Sequence, residues 1–386
     1  MKRKWQTIRN PLKRLSDLST LGVGNGLTAA IYAIFWLYLA TLLDTKDYGE
    51  VSYLIAVGFI AHVVSFLGAG ETIIVYTSKE GKTQSSVYFV PLISSIIVSI
   101  ILFFVFYNLP LSLFVLGAVF FALIQHEFLG KKLYKKFAKL TITQGLLLVL
   151  LAIALFYLMG PQGIILGFAL SYFPYSFLVF RSLREHGINK SIIKSRFRFM
   201  THNYALDLSR RSVLYADKLF IFPIFGFALL GNYQLGIQFL LILSILPSTV
   251  FQYVLPRDAS GKSSDRLKKN TIVISIILAT IGILMAPLLL PILFPKFEEA
   301  QELIQIMSLA IIPMTISLMY NSKFLGIEKS NFVFVGSCIF LTVQILGIFL
   351  LGIPYGINGA AIAVVLAAVS QAIYLVNINR IVGKLN

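Results

Sequence analysis

Phe128 opens the stretch FLGKKLYKKFAK, and 196 residues later Phe324 opens FLGIEKSNFVFV. At the same offset GPQGIILGFAL, from Gly160, faces GINGAAIAVVL, from Gly356. Two separate matches at one spacing point to an internal repeat. Earlier, DYGEVSYL from Asp47 resembles NYQLGIQFL from Asn232 at a slightly shorter offset. A short insertion within PRDASGKSSDRLKKN, from Pro256, reconciles the two spacings. The sequence therefore predicts two related halves, 18–190 and 191–386, after a basic segment at 1–17.

What kind of chain repeats in this way follows from its composition. The 386 residues are 58% hydrophobic and 13% charged, with mean hydropathy +0.84. These values exclude an ordinary soluble domain and predict an all-α polytopic membrane protein. A net charge of +17 would suit nucleic acid if it were gathered on a soluble face. Here the basic residues lie between apolar runs, so no nucleic-acid partner is expected. Cys338 is the single cysteine, which excludes an internal disulfide and a cysteine metal site. The opening MKRKWQTIRNPLKRLSD lacks the short apolar core and small-residue cleavage site of a signal peptide and reads as a retained cytoplasmic segment.

A membrane-spanning helix needs about 20 mostly apolar residues. Twelve segments qualify: 18–43, 52–76, 87–107, 110–126, 141–159, 162–181, 203–226, 229–255, 270–293, 302–322, 331–353 and 357–379. Assigning alternate loops to opposite sides places 28 Lys and Arg on the side shared by both termini and only Lys46 and Lys296 on the other. By the positive-inside rule both termini are cytoplasmic, in the cell membrane. Each half then has six helices and starts on the same side, so the repeats are parallel.

Three basic residues escape this count, and all lie in one helix. Within 203–226, at 100° per residue, Asn203, Asp207, Arg210, Arg211, Leu214, Asp217 and Lys218 fall inside about 120° of arc. Charges at a helix centre cost roughly 2.5–3.5 kcal/mol each on insertion scales, and such residues usually face a bundle interior or a water-filled path. One reading is structural: Asp207 lies three and four residues before the two arginines and partly neutralises them. The other makes the stripe the lining of a central cavity that meets an anionic substrate, for which the planar forked donors of Arg suit phosphate. On that reading Arg210, Arg211, Lys218, Asp217, Asp207 and Asn203 bind substrate. Glu71, in FLGAGETIIVY, and Arg257 are candidates for a gating pair, with Glu71–Arg210 as the alternative pairing. His62, at mid-depth, reads as a packing residue with a lesser case for ion coupling. Gln344 and Gln371 are expected to bond between helices.

No catalytic constellation is present. There is no phosphate-binding loop with Lys-Ser/Thr, no HExxH and no nucleophile elbow. The chain is expected not to be an enzyme and to use no cofactor or metal. Its short basic loops suit anionic lipid head groups.

With these residues in view, the chain resembles the prokaryotic polysaccharide flippases of the multidrug/oligosaccharidyl-lipid/polysaccharide (MOP, MATE-like) exporter superfamily. The resemblance is carried by LSDLSTLGVGNGL from Leu15, LLDTKDYGEVSYL from Leu42, and YADKLFIFPIFGFALLGNYQLGIQFLLILSILPSTVFQYVLPRDAS from Tyr215. It continues through LLPILFPKFEEAQELIQIMSLAIIPMTISLMYNSKFLGIEKSN from Leu289 and YGINGAAIAVVLAAVSQ from Tyr355. It implies two six-helix bundles forming a V around a central cavity. It also implies translocation of a polyprenyl-pyrophosphate-linked oligosaccharide from the cytoplasmic to the outer leaflet by alternating access, for cell-surface polysaccharide or glycoconjugate synthesis. The implied partners are that lipid-linked glycan, membrane lipids and glycan-assembly enzymes. Asp217 matches a position where the family often has an acid. Many members carry an Arg near the end of helix two, where this chain reads IIVYT from Ile73, and Glu71 is unusual there. The alternative on the same fold is a cation-coupled drug or metabolite antiporter, for which Glu71 and Asp217 are the residues of interest.

Overall fold

A computed structural model describes residues 11–80, 84–186, 190–261 and 264–385. Among them the chain is helical from end to end. The first seven α-helices are α1 (Pro11–Leu42), α2 (Thr45–Phe66), α3 (Ala69–Glu80), α4 (Gln84–Phe106), α5 (Leu109–Gly130), α6 (Tyr134–Met159) and α7 (Pro161–Tyr172). A 3-10 turn over Phe173–Tyr175 leads into α8 (Ser176–His186). The remainder are α9 (Lys190–Leu243), α10 (Ile245–Ala259), α11 (Asp265–Leu293), α12 (Ala300–Ser308), α13 (Ile311–Gly326) and α14 (Ser330–Leu385).

Nine helices among the described residues are long and apolar enough to cross a membrane, or ten if α12 and α13, bent by 41° at their junction, form one span. Twelve segments are expected from the sequence, and the difference lies in where backbone breaks fall. The expected segment 52–76 is interrupted at Leu67 and Gly68, both at positive φ, between α2 and α3. The expected pairs 203–226 with 229–255 and 331–353 with 357–379 run together: α9 contains non-helical Gly226 (φ 78°) and α14 contains non-helical Gly356 (φ 62°). Only a residue without Cβ adopts these angles without strain, so the breaks fall on glycine. The outward faces are apolar. In α4, Ile96, Ile97, Ile100 and Ile101 are all more than half exposed. Such a surface suits lipid and would aggregate in water.

Contacts divide the chain into two compact units, residues 1–32 with 61–205 and residues 33–60 with 206–386. The hairpin 33–60, which the repeat reading counts with the N-terminal half, thus packs with the C-terminal residues. Small side chains explain why. An added Cβ at Gly49 would lie 1.9 Å from the Phe227 carbonyl oxygen, and one at Gly231 would lie 1.9 Å from that of Thr45. Here α2 and α9 touch backbone to backbone, the approach that small residues permit between membrane helices. Tyr48, fully buried, adds edge contacts with Trp36 and Phe297 at ring separations of 5.5 and 5.4 Å.

The first unit centres on Ile73, Tyr88, Val119 and Leu123, and the second on Tyr233, Met307, Ile311 and Ala360. Several local geometries recur at the spacing that separates Phe128 from Phe324. Gly160 and Gly356 share φ/ψ near 67°/−151° and 62°/−151°. A Cβ on Gly163 would meet the Leu155 carbonyl oxygen at 2.1 Å, and one on Gly359 would meet that of Leu351 at 2.0 Å. Lys132 and Glu328 are both left-handed, at φ 58° and 61°. Beside them the amide of Leu133 donates to the Phe128 carbonyl, and that of Lys329 to the Phe324 carbonyl, each at 2.8 Å.

Replacing Gly49 or Gly231 by Ala is expected to separate α2 from α9, at a cost of about 1–3 kcal/mol or more. Gly26→Ala, which meets nothing within 4 Å, should leave stability unchanged or raise it by up to about 1 kcal/mol. Thermal unfolding of the detergent-purified variants measures both effects.

Candidate functional site

The polar stripe lies along the first part of α9, and the structure does not treat it uniformly. Asn203 is buried, in the first unit. Asp207 is half-buried and makes a polar interaction. The side chain of Arg210 lies outside the described residues. Arg211 is exposed, and Leu214 is 52% exposed on the same face. Asp217 and Lys218 are 2% and 4% exposed, within the second unit.

That burial differs from an open stripe, and its cause is local compensation. The Lys218 ammonium lies 3.3 Å from Asp217 Oδ1, and the Lys218 amide donates to the same oxygen at 2.9 Å. The Tyr233 hydroxyl donates to Asp217 Oδ2 at 2.9 Å, so both carboxylate oxygens are engaged. Lys218 Nζ also donates to the Leu214 carbonyl at 3.4 Å and lies 6.0 Å from the centroid of the Tyr215 ring, itself stacked on Phe59. A lone charge here would carry a desolvation cost of several kcal/mol; the pair, with a phenol and a carbonyl as further partners, reduces it. The product is a buried, charge-compensated cluster. Arg211 is left as an exposed cation on this face.

The remaining expected residues are dispersed. Glu71 stands half-buried in the first turn of α3, in the first unit, and makes a polar interaction. Arg257, in the last turn of α10, is held inside the second unit: Nε donates to Ser264 Oγ at 3.1 Å, and a terminal nitrogen donates to the Tyr253 hydroxyl at 2.9 Å. His62 is 6% exposed, and its ring lies 5.3 Å from that of Phe66.

Two further acids with largely covered side chains went unread in the sequence. Glu127, 6% exposed, accepts from the Tyr88 hydroxyl and from the Lys131 ammonium. Asp258 accepts from Ser322 at 2.6 Å and from Lys268 at 2.7 Å. Glu127 had a signal: an acid within an apolar helix, four residues before a lysine. Asp258 had none, because Ser322 lies 64 residues away. Among the described residues no group of three or more His, Cys, Asp or Glu is placed to hold a metal ion.

Lys218→Met would leave Asp217 buried without its cation and is expected to cost about 3–5 kcal/mol of stability. The double change Lys218→Met/Asp217→Asn should recover most of that loss, a coupling that a double-mutant cycle in thermal unfolding would measure.

Residues 15–110 match the family described as "Polysaccharide biosynthesis protein". Comparison with curated protein sequences gives no match. Among solved structures, the chain is similar to the lipid II flippase MurJ in its inward closed conformation, with TM-score 0.76, 14% identity, and 93% of this chain and 87% of that one covered. It is similar to an outward-facing multidrug resistance MATE family transporter, with TM-score 0.65, 14% identity and 97% of each chain covered. A MOP superfamily transporter from Pyrococcus furiosus is also similar, with TM-score 0.63, 13% identity and 95% of each chain covered. The fold is thus the one these solved flippase and transporter structures share, and the opening quarter of the chain matches the polysaccharide biosynthesis protein family.

Proposed function

We propose that this protein is a flippase that moves a polyprenyl-pyrophosphate-linked oligosaccharide from the cytoplasmic to the outer leaflet of the cell membrane, for cell-surface polysaccharide or glycoconjugate synthesis. The observation that carries this reading is a conjunction: the polysaccharide biosynthesis match over 15–110 coincides with whole-chain likeness to a solved lipid II flippase. The mechanism is alternating access without nucleotide hydrolysis. Arg210 and Arg211 take the pyrophosphate, since fork-shaped guanidinium donors match phosphate oxygens. Exposure of Arg211 beside exposed Leu214 supports this role. Asp217 and Lys218, with Asn203 and Asp207 on the same face, give the helix its shape and polarity and contact sugars when the site opens. Glu71, Arg257 and His62 act in gating or coupling.

The same proposal includes twelve membrane passes in two parallel repeats, with both termini in the cytoplasm and glycan-assembly enzymes as partners. Support for the count comes from the backbone. Gly226 and Gly356 each divide a long helix in two, and α2 with α3, the second part of α9 with α10, and α12 with α13 read as broken single spans. The backbone geometries shared by Lys132 with Glu328, and the close approaches shared by Gly163 with Gly359, support the repeat. A cation-coupled drug or metabolite antiporter is the second reading, favoured by the MATE likeness and by the buried carboxylate of Asp217.

Deleting the gene in its native host should cause one polyprenyl-pyrophosphate oligosaccharide to accumulate, as read by mass spectrometry of lipid-linked glycans. The wild-type gene should reverse this, and an Arg210→Gln/Arg211→Gln variant should transport about tenfold less or worse, as expected when charge-assisted hydrogen bonds to an anion are lost. An unchanged pool in a strain without a redundant flippase would sink the reading. Ethidium efflux that Asp217→Asn abolishes would establish the antiporter instead.

A further inference from the structure

We infer that the corner between α5 and α6 is a binding site for the phosphate of an anionic phospholipid in the surrounding leaflet, separate from any transport path. The corner holds Lys131, Lys132, Lys135, Lys136 and Lys139, all exposed. Lys131 is bonded to Glu127. The other four have no ion-pair partner among the described residues. At 100° per residue Lys135, Lys136 and Lys139 share about 100° of arc on the start of α6, and Lys132 stands in the turn just before it. The same face continues up the helix as Leu146, Leu150 and Tyr157, which are 56%, 65% and 68% exposed. From Lys139 to Tyr157 is about 27 Å at 1.5 Å per residue, close to the roughly 30 Å of a hydrocarbon core. One stripe thus carries lysines at one membrane boundary, apolar side chains through the hydrocarbon and a tyrosine at the far boundary. A ligand reaches these lysines from the bilayer.

Two observations say that the lysines serve a ligand and not the fold. First, the equivalent corner of the second repeat, between α13 and α14, has the same left-handed residue and the same closing hydrogen bond, and its following helix starts at the equivalent residue, Ser330 against Tyr134. There the five positions are Ile327, Glu328, Asn331, Phe332 and Val335. The turn therefore needs no lysine. Second, the cluster stands at the positive end of the α6 dipole and sets like charges four residues apart, both unfavourable without a counter-anion. The N-cap, Leu133, provides no side-chain bond to the first amides. Uncapped amides, a helix dipole and four unpaired ammonium groups converge on an anion. Continuity with the lipid-facing stripe identifies that anion as a leaflet head group.

The test uses the full chain purified in a neutral maltoside detergent. Added phosphatidylglycerol should raise the thermal unfolding midpoint above the value in phosphatidylcholine by roughly 2–4 °C, and raised salt should remove the increment. The variant K132Q/K135Q/K136Q/K139Q should lose it, while the four-arginine counterpart keeps it. Should the quadruple variant fail to fold, K132Q/K136Q and K135Q/K139Q should each lose part of it. Retention of the full increment in these variants would overturn the inference. So would an equal increment from inorganic pyrophosphate without lipid, which would mark a site for a soluble anion.

Discussion

Inside hydrocarbon there is no water to accept a hydrogen bond, and this one absence governs the molecule. Each backbone amide and carbonyl must find its partner within the chain, so the spanning segments are helices throughout. Interruptions are tolerated only where the freed groups are re-satisfied or the residue carries no Cβ. Gly160, Gly226 and Gly356 take positive-φ breaks with no Cβ to strain, and where Leu67 takes one, Gly68 follows directly. An added Cβ at Gly68 would lie 2.2 Å from the Met200 carbonyl oxygen, so that glycine provides both the turn and the approach of a neighbouring helix.

The same absence acts on side chains. A lone charge away from water is expensive, and the chain answers with local neutralisation. Asp217 has Lys218 and Tyr233, Glu127 has Tyr88 and Lys131, and Asp258 has Ser322 and Lys268. In each case the partners of the acid include an ammonium and a hydroxyl. These clusters fix helix positions more than they add stability, because pairing roughly offsets desolvation. They also separate charges compensated inside the fold from charges left exposed. Arg211 and the four lysines at the corner between α5 and α6 belong to the second kind.

Glycine then sets how closely helices pack. Gly49 against Phe227 and Gly231 against Thr45 bring two helices into backbone contact, and Gly130 seats α5 on Ile74 and Thr77 of α3. Gly326 seats α13 on Asp258 of α10 in the corresponding way. Gly326 follows Gly130 at the longer of the two spacings seen in the sequence, and Asp258 follows Ile74 at close to the shorter one.

The sequence by itself determined the helical class, the membrane setting and the location of most spans, because apolar runs and basic loops are local properties that lipid and leaflet read directly. It also marked Gly160 and Gly356 as corresponding points, since a positive φ demands the same residue wherever it recurs. Tertiary structure alone decided which charges are hidden. Helical periodicity places Asp217 and Arg211 on one face, but Asp217 is buried because Tyr233, further along the same chain, returns beside it, and no local pattern announces that return. Likewise the hairpin 33–60 belongs by sequence order to the first half, yet it packs with 206–386. Its partner is chosen by the backbone contact of Gly49 and Gly231, a match of surfaces that exists only once both helices are formed.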